Sequence, residues 1–357
     1  MNVIQSICIL RLSAIGDVCH AVAVVQAIRA HFPTIEITWV IGRVEAELLR
    51  GLPGVRFVVF DKREGVSAYW KLRRELPDTF DVLLHMQVAL RANLAALCIR
   101  ARRKLGFPAH LAKEGHGLVV NERVEVDHEP HVLEGFAAFA RAIGVQPFPL
   151  IWNLPVGGDD RAWLKNFLRK HDLQSHDRLV VISPSASKPE RNWLPERYAE
   201  FADYAQSKGF TVILCGAPTE REKRLGGKIT ALSQHSLINL IGDTTLKQLL
   251  ALLGRASVVV SPDSGPVHMA TMMGTPVIGL YAHSNPARTG PYLSQQWTLE
   301  VYHRELAKKN RHRQKVRWGT RLKGKHLMAG ITAAEVIAVF DAFCAHQVAE
   351  KGARQHG

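Results

Sequence analysis

Four stretches of the sequence combine side chains able to do chemistry with the glycine, proline and hydroxyl residues that open helices. The first reads Arg11-Leu12-Ser13-Ala14-Ile15-Gly16-Asp17. Gly16 suits a tight turn and the close approach of a ligand, and Asp17 stands where an acid caps or enters a first helical turn. A carboxylate directly after a strand is also where a general base would be placed, so spacing leaves both roles open. The second, Ser261-Pro262-Asp263-Ser264-Gly265-Pro266-Val267-His268, opens a helix with Pro266 suited to its first position and Ser264 or Gly265 to its cap. The free N–H groups of such a start form an anion site suited to a diphosphate, and Asp263 and His268 flank it. The third, from Ser183 to Trp193, offers the hydroxyls of Ser183, Ser185 and Ser187 with the cations Lys188 and Arg191, ahead of a helix beginning at Pro195. Those cations can neutralise a phosphate leaving group through charge-assisted hydrogen bonds. The fourth, Cys215-Gly216-Ala217-Pro218-Thr219-Glu220, puts the Glu220 carboxylate where a ribose hydroxyl can be held.

Several chemistries are excluded or disfavoured. No Gly-x-Gly-x-x-Gly follows a strand, which argues against a dinucleotide-dependent dehydrogenase. The stretch Gly319 to His326 nearly spells a P-loop, but His326 replaces the Ser or Thr that would hold magnesium and no strand precedes it. No Asp-x-Asp occurs, so neither metal nor cofactor is expected. Asp127-His128-Glu129-Pro130-His131 is spaced for capping or lining a cleft rather than for ligating a metal. The five cysteines are scattered, with no Cys-x-x-Cys pair, which fits a reducing cytoplasm.

All four stretches follow short Val- and Ile-rich runs, the places where ligands bind beyond the carboxyl ends of a parallel sheet. Such runs (SICILRL, EITWVI, VRFVVF, FDVLLHM, then LVVIS, FTVILCG, SLINLIG, ASVVV and PVIGLYA) alternate with helical patterns at 18–31, 44–50, 66–76, 90–101, 195–208, 219–232, 245–254 and 266–273. This is the rhythm of β-α units. The Pro- and Gly-rich stretch 146–158 is the best linker, and 357 residues at ~150 per domain predict two α/β domains. We place the first at 1–155, the second at 156–330, and a closing helix and tail at 331–357.

Net charge is +14, and the segment His303–His326 holds ten Lys or Arg against the single acid Glu305, so nine of the fourteen charges sit there. It reads either as a loop drawn to phosphate or as a solvated charge run. Smaller clusters lie at Lys62, Arg63, Lys71, Arg73 and Arg74, interleaved with Tyr69 and Trp70, and at Arg100, Arg102, Arg103 and Lys104. These suit an anionic membrane surface or the wet face of a surface helix. The start, MNVIQSICILRL, lacks a basic n-region, and no segment reaches roughly 18 uninterrupted apolar residues, so membrane contact is expected to be peripheral.

Taken in order, Arg11 to Asp17, Ser183 to Trp193, Gly216-Ala217-Pro218 and Ser261 to His268 resemble glycosyltransferase family 9, the heptosyltransferases of lipopolysaccharide core synthesis. The resemblance runs from the first strand to about residue 293. It implies a GT-B fold, two Rossmann-like domains facing across a cleft, with an acceptor-binding N-terminal domain and a nucleotide-sugar-binding C-terminal one. It further implies ADP-heptose as donor substrate, Kdo-lipid A as a lipid-linked anionic acceptor, inversion at the anomeric centre, and work at the cytoplasmic face of the inner membrane. By position, Asp17 resembles the general base. Ser185, Ser187, Lys188, Arg191, Glu220, Asp263, Ser264, Gly265 and His268 resemble donor contacts, while Arg11, Ser13, Gly16, Lys62, Arg63 and Arg73 fall on the acceptor side or cleft. Arg11 and Arg191 stand where family members often carry Lys, and a planar guanidinium does not reproduce the contacts of an ammonium. A relative with another acceptor, a second core sugar or a protein, would share the donor motifs. A nucleic-acid-binding protein would suit the charge, but no binding motif for one is present and the charge is confined to one run.

Overall fold

The Val- and Ile-rich runs form two separate parallel sheets. The structure, a computed structural model, describes residues 4–309 and 316–355 and divides into two compact units, Met1–Pro155 and Val156–Gly357. In the first unit, β1 (Ser6–Leu10), β2 (Glu36–Ile41), β3 (Val55–Val59), β4 (Thr79–His85), β5 (Arg100–Gly106) and β6 (Glu122–Arg123) lie in the order β3-β2-β1-β4-β5-β6. Helices α1 (Ile15–His31), α2 (Arg43–Leu49), α3 (Ser67–Glu75), α4 (Leu90–Cys98) and α5 (Val132–Arg141) connect and cover them. Helix α1 is buried from Val18 to Ile28 and packs against α5, so its sequence is apolar all round rather than amphipathic.

The second unit begins with α6 (Gly158–Lys170) and continues β7 (Arg178–Ile182), α7 (Pro195–Ser207), β8 (Phe210–Gly216), α8 (Glu220–Leu232), β9 (Ile238–Ile241), α9 (Leu246–Arg255), β10 (Val258–Pro262), α10 (Gly265–Met272), β11 (Val277–Tyr281), α11 (Pro286–Thr289), β12 (Leu299–Glu300), α12 (Tyr302–Lys309) and α13 (Ala333–Gln355). Its strand order is β12-β11-β10-β7-β8-β9. Helix α13 contributes Val336, Phe340 and Phe343 to this unit's core, with the Phe340 ring edge-on to Phe201 at 5.4 Å. In the first sheet the chain reverses direction between β1 and β4, and in the second between β7 and β10. A crevice opens at each such switch point beyond the carboxyl ends of the strands.

One element departs from the sequence expectation. The helix expected over 90–101 stops at Cys98, and Arg100–Gly106 is strand β5. Its basic residues therefore do not form the wet face of a helix. Arg102 pairs with Asp81 of β4 at 2.9 Å, and Arg103 forks onto Glu122 of β6 with two bonds of 2.8 Å. Backbone pairing to β4 and cross-strand ion pairs override a composition that by itself disfavours a strand.

Two buried histidines brace this unit. His85, ending β4, and His116 share the side-chain oxygen of Asn93 at 2.8 and 3.2 Å, and the Phe107 N–H donates to His116 Nε2 at 3.0 Å. Nε2 is thus the acceptor, and the His116 ring carries its proton on Nδ1. Burial, aided by the neighbouring imidazole, pushes His85 down to about 3, and burial, aided by Arg123, pushes His116 down to about 4. An unfolded chain takes up these protons near 6.5, so stability is full above that pH and is lost as pH falls towards 4. Urea midpoints should decline from pH 7 to 4.5, and His116→Gln should flatten the decline; identical slopes in the variant and the parent would show that His116 takes no part.

Candidate functional site

Asp17 lies in the first turn of α1, three residues past the cap residue Ala14. Its Oδ2 accepts the Ala14 N–H at 3.3 Å and pairs with Arg11 Nη2. Arg11 is itself fixed, with Nη1 donating to the Met86 carbonyl at 2.6 Å and the guanidinium lying 5.1 Å from the Phe136 ring centre. Trp39 Nε1 donates to the Arg11 carbonyl at 3.1 Å, and the Leu12 N–H donates to Gln87 Oε1 at 2.7 Å. The carboxylate therefore stands at the β1/β4 switch point with one oxygen anchored, while Oδ1 has no partner among the described residues. Its side chain is 31% exposed, so the carboxylate is reachable from solvent.

Ser13 and Gly16 flank Asp17, both half-buried. Gly16 does not make the turn expected of it. It is the second residue of α1, and no residue from 11 to 17 has a positive φ. Lys62 and Arg63 lie past β3, two strands from β1. Arg63 and Arg43 both bond Asp61, at 2.9 and 2.8 Å, and the Arg63 hydrogen bonds hold that carboxyl well below the usual range. Arg73 on α3 turns to the Leu76 carbonyl at 2.7 Å. Of these three cations, Lys62 alone makes no side-chain hydrogen bond or ion pair among the described residues.

The second unit gathers its candidates at the β7/β10 switch point. Ser261 Oγ donates to the Ser183 carbonyl at 2.9 Å and meets Ser264 Oγ at 2.8 Å, joining the loops after β7 and β10. Buried Arg191 bonds Asp263 Oδ2 at 3.3 Å, and Ser284, just past β11, donates to the same oxygen at 2.5 Å. Ser264 caps α10 by position, Gly265 begins it, and His268 is buried within it. Ser185 is buried, whereas Ser187 and Lys188 are exposed. Glu220 is 80% exposed, its nearest ionic partner being Lys223 at 3.9 Å.

Three ordering residues were not singled out by the sequence reading: Ser284, Asn192, which accepts the Ala186 N–H at 2.8 Å, and Arg221, which reaches the carbonyls of Ala186 and Ser187 at 2.8 and 3.2 Å. Ser284 follows the run PVIGLYA, so the rule of inspecting post-strand residues could have found it. Asn192 and Arg221 act through the fold of the 183–193 loop and carry no local signal.

The described part of the basic segment is anchored to the loop after β11 and to the start of α12. Tyr302 Oη donates to the Thr320 carbonyl at 2.8 Å, the Leu322 N–H to the His283 carbonyl at 2.9 Å, and His283 Nε2 lies 2.9 Å from the Gly324 carbonyl. Arg317, Arg321, Lys323 and Lys325 remain exposed; Arg311, Arg313 and Lys315 lie outside the described residues. At 127–131 the capping expectation is met, since His131 caps α5 by accepting the Leu133 N–H at 3.1 Å. Among the described residues no group of three or more His, Cys, Asp or Glu is placed to hold a metal, and no helix is long and apolar enough to cross a membrane.

Two Rossmann-like α/β units in one chain are the architecture of the GT-B glycosyltransferases, and comparison with known proteins narrows the class. The family model described as glycosyltransferase family 9 (heptosyltransferase) matches residues 69–318. The lipopolysaccharide core heptosyltransferase OpsX of Haemophilus influenzae is 44% identical over 335 residues, 93% of this chain and 95% of that protein. Lipopolysaccharide heptosyltransferase 3 of Escherichia coli K12 is 21% identical over 274 residues, 74% of this chain and 79% of the relative. Among solved structures, a family 9 glycosyltransferase from Veillonella parvula superposes with a TM-score of 0.81 at 21% identity, covering 96% of this chain and 97% of that one. E. coli heptosyltransferase WaaC with ADP superposes at 0.72 and 16% identity, covering 95% and 100%. The chain belongs to glycosyltransferase family 9.

Proposed function

We propose that the protein transfers L-glycero-D-manno-heptose from ADP-heptose to the Kdo-lipid A inner core of lipopolysaccharide, with inversion at the anomeric carbon. The observation that carries the mechanism is the carboxylate of Asp17, tethered by Arg11 and the Ala14 N–H through one oxygen and open at the other. In this reading Oδ1 takes the proton of an acceptor hydroxyl as its oxygen bonds the anomeric carbon. The bond from that carbon to the ADP phosphate oxygen breaks, and ADP leaves with the electron pair.

On the donor side Asp263 Oδ1 and Ser264 hold sugar hydroxyls, Glu220 grips the ribose, and Ser185, Ser187 and Gly265 line the diphosphate. Arg191 and Lys188 neutralise it, with the N-terminal N–H groups of α10 and the buried His268 beside them. On the acceptor side Ser13, Gly16, Lys62, Arg63 and Arg73 face an anionic lipid-linked sugar. The reaction so described takes ADP-heptose as substrate and calls on no cofactor, and the protein works peripherally at the cytoplasmic face of the inner membrane. The 44% identity to a core heptosyltransferase supports the choice of donor and acceptor class.

Purified protein should release ADP from ADP-heptose only when Kdo-lipid A is supplied, and proton NMR of the product should show the inverted anomer. Donor binding without release on this acceptor would redirect the search to a second core sugar or a protein acceptor. Absence of donor binding would overturn the reading.

A further inference from the structure

The first unit turns an apolar face outward. Twelve large apolar side chains are exposed among the described residues, and six of them, Val66, Trp70, Leu90, Leu94, Leu97 and Leu118, lie on α3, on α4 or next to them. On α4 the leucines stand at helical spacing, so they form one stripe, while the small residues Ala92, Ala95 and Ala96 are the buried ones. That inverts the usual arrangement, in which the large side chains seek the core. Trp70, 71% exposed, projects from α3, which packs against α4. The loop bearing Leu118 is tied to α4 by the Leu90 N–H donating to Glu114 Oε2 at 2.5 Å and by Asn93 Nδ2 donating to the Glu114 carbonyl at 2.7 Å.

Charge identifies the occupant. Helices α3 and α4 carry Lys71, Arg73, Arg74 and Arg91 against the single acid Glu75. A second copy docking symmetrically on this face would set those cations against their own kind, whereas an anionic bilayer neutralises them while taking up the leucines and the tryptophan. The stripe also begins at the right place. Leu90 lies a few residues beyond Met86 and Gln87, whose carbonyl and side chain hold Arg11 and Leu12. The end of the leucine stripe thus adjoins the end of the sheet where Asp17 opens.

We infer that the outer faces of α3 and α4 are a membrane-docking surface, with Trp70 and the Leu90, Leu94 and Leu97 stripe entering the interface of an anionic lipid bilayer. This rests on the proposed use of a lipid-linked acceptor and adds the surface that meets the lipid. The test uses the full chain with vesicles of phosphatidylethanolamine and phosphatidylglycerol, some carrying brominated acyl chains. Tryptophan fluorescence should be quenched by the brominated lipid, and Trp70→Phe should remove most of that quenching. Leu94→Glu/Leu97→Glu should weaken vesicle binding by about tenfold or more, with unchanged thermal unfolding and unchanged ADP release on a de-acylated, water-soluble acceptor. Vesicle binding unaffected by the leucine changes, or quenching that survives in Trp70→Phe, would overturn the inference. So would light scattering that finds a dimer which the leucine variant dissociates. The vesicle results decide the surface by themselves; loss of ADP release on every acceptor in the unaltered protein would count against the heptosyl-transfer reading instead.

Discussion

Asp17→Asn is expected to lower kcat by about 10²–10⁴-fold while leaving ADP-heptose affinity within about twofold. The choice of asparagine separates the two roles that residue spacing leaves open. Asp17 accepts the N–H of Ala14 from within the first turn of α1, and loss of such a capping contact costs about 1 kcal/mol. An asparagine oxygen can still accept that bond, so a residue that only caps would tolerate the change with its activity intact. An amide cannot take a proton from a hydroxyl. Thermal midpoint and turnover should therefore part company: unfolding lowered only by the loss of charge opposite Arg11, whose guanidinium keeps its bond to the Met86 carbonyl, and transfer nearly gone. Arg11→Ala removes the ligand that orients Oδ2 and uncovers the Met86 carbonyl, so it should reduce turnover by less than Asp17→Asn does, through misplacement of a base that is still present. Turnover within a few-fold of the parent in Asp17→Asn would rule out the carboxylate as base.

What could be read from the sequence follows from how local the cause is. The post-strand loops at 11–17, 183–193 and 261–268 were legible because strands, helix starts and the crevice rule all act within a few residues. The family and its two-unit α/β fold were legible from the same stretches. Asp17, read as capping or entering a first helical turn, enters it as the third residue of α1, whereas Gly16 lies inside that helix without the positive φ that would call for a glycine. β5 was missed because Arg100, Arg102, Arg103 and Lys104 look like a solvated surface until Asp81 and Glu122, distant in sequence, are set beside them. The leucine stripe of α4 escaped for a related reason. Periodicity shows that a helix has two faces but not which one the rest of the chain covers, and here alanines are covered and leucines are not. The anchoring of 316–326 depends on His283, some forty residues away.

Asp263→Ala should be the most destabilising change at the donor loops, because it strands a buried cation. The side chains of Arg191 and Asp263 are 10% and 15% exposed, and removing one partner of such a pair typically costs about 3–5 kcal/mol. Ser284 loses its acceptor in the same step. Arg191→Ala should cost less stability but lower kcat by about 10²–10³-fold, the usual effect of deleting a charge that stabilises a developing anion. Arg191→Lys keeps the charge without the planar fork and should recover part of that loss. The double variant carries the decisive sign. With both groups gone no unpaired charge remains, so Asp263→Ala/Arg191→Ala should be more stable in urea than Asp263→Ala alone, yet no more active. Recovered stability without recovered turnover assigns the pair a mutual structural role and each member a separate chemical one. A double variant no more stable than Asp263→Ala would mean that the two side chains are not energetically coupled, and the ordering of the donor loops would then fall to Ser261, Asn192 and Arg221.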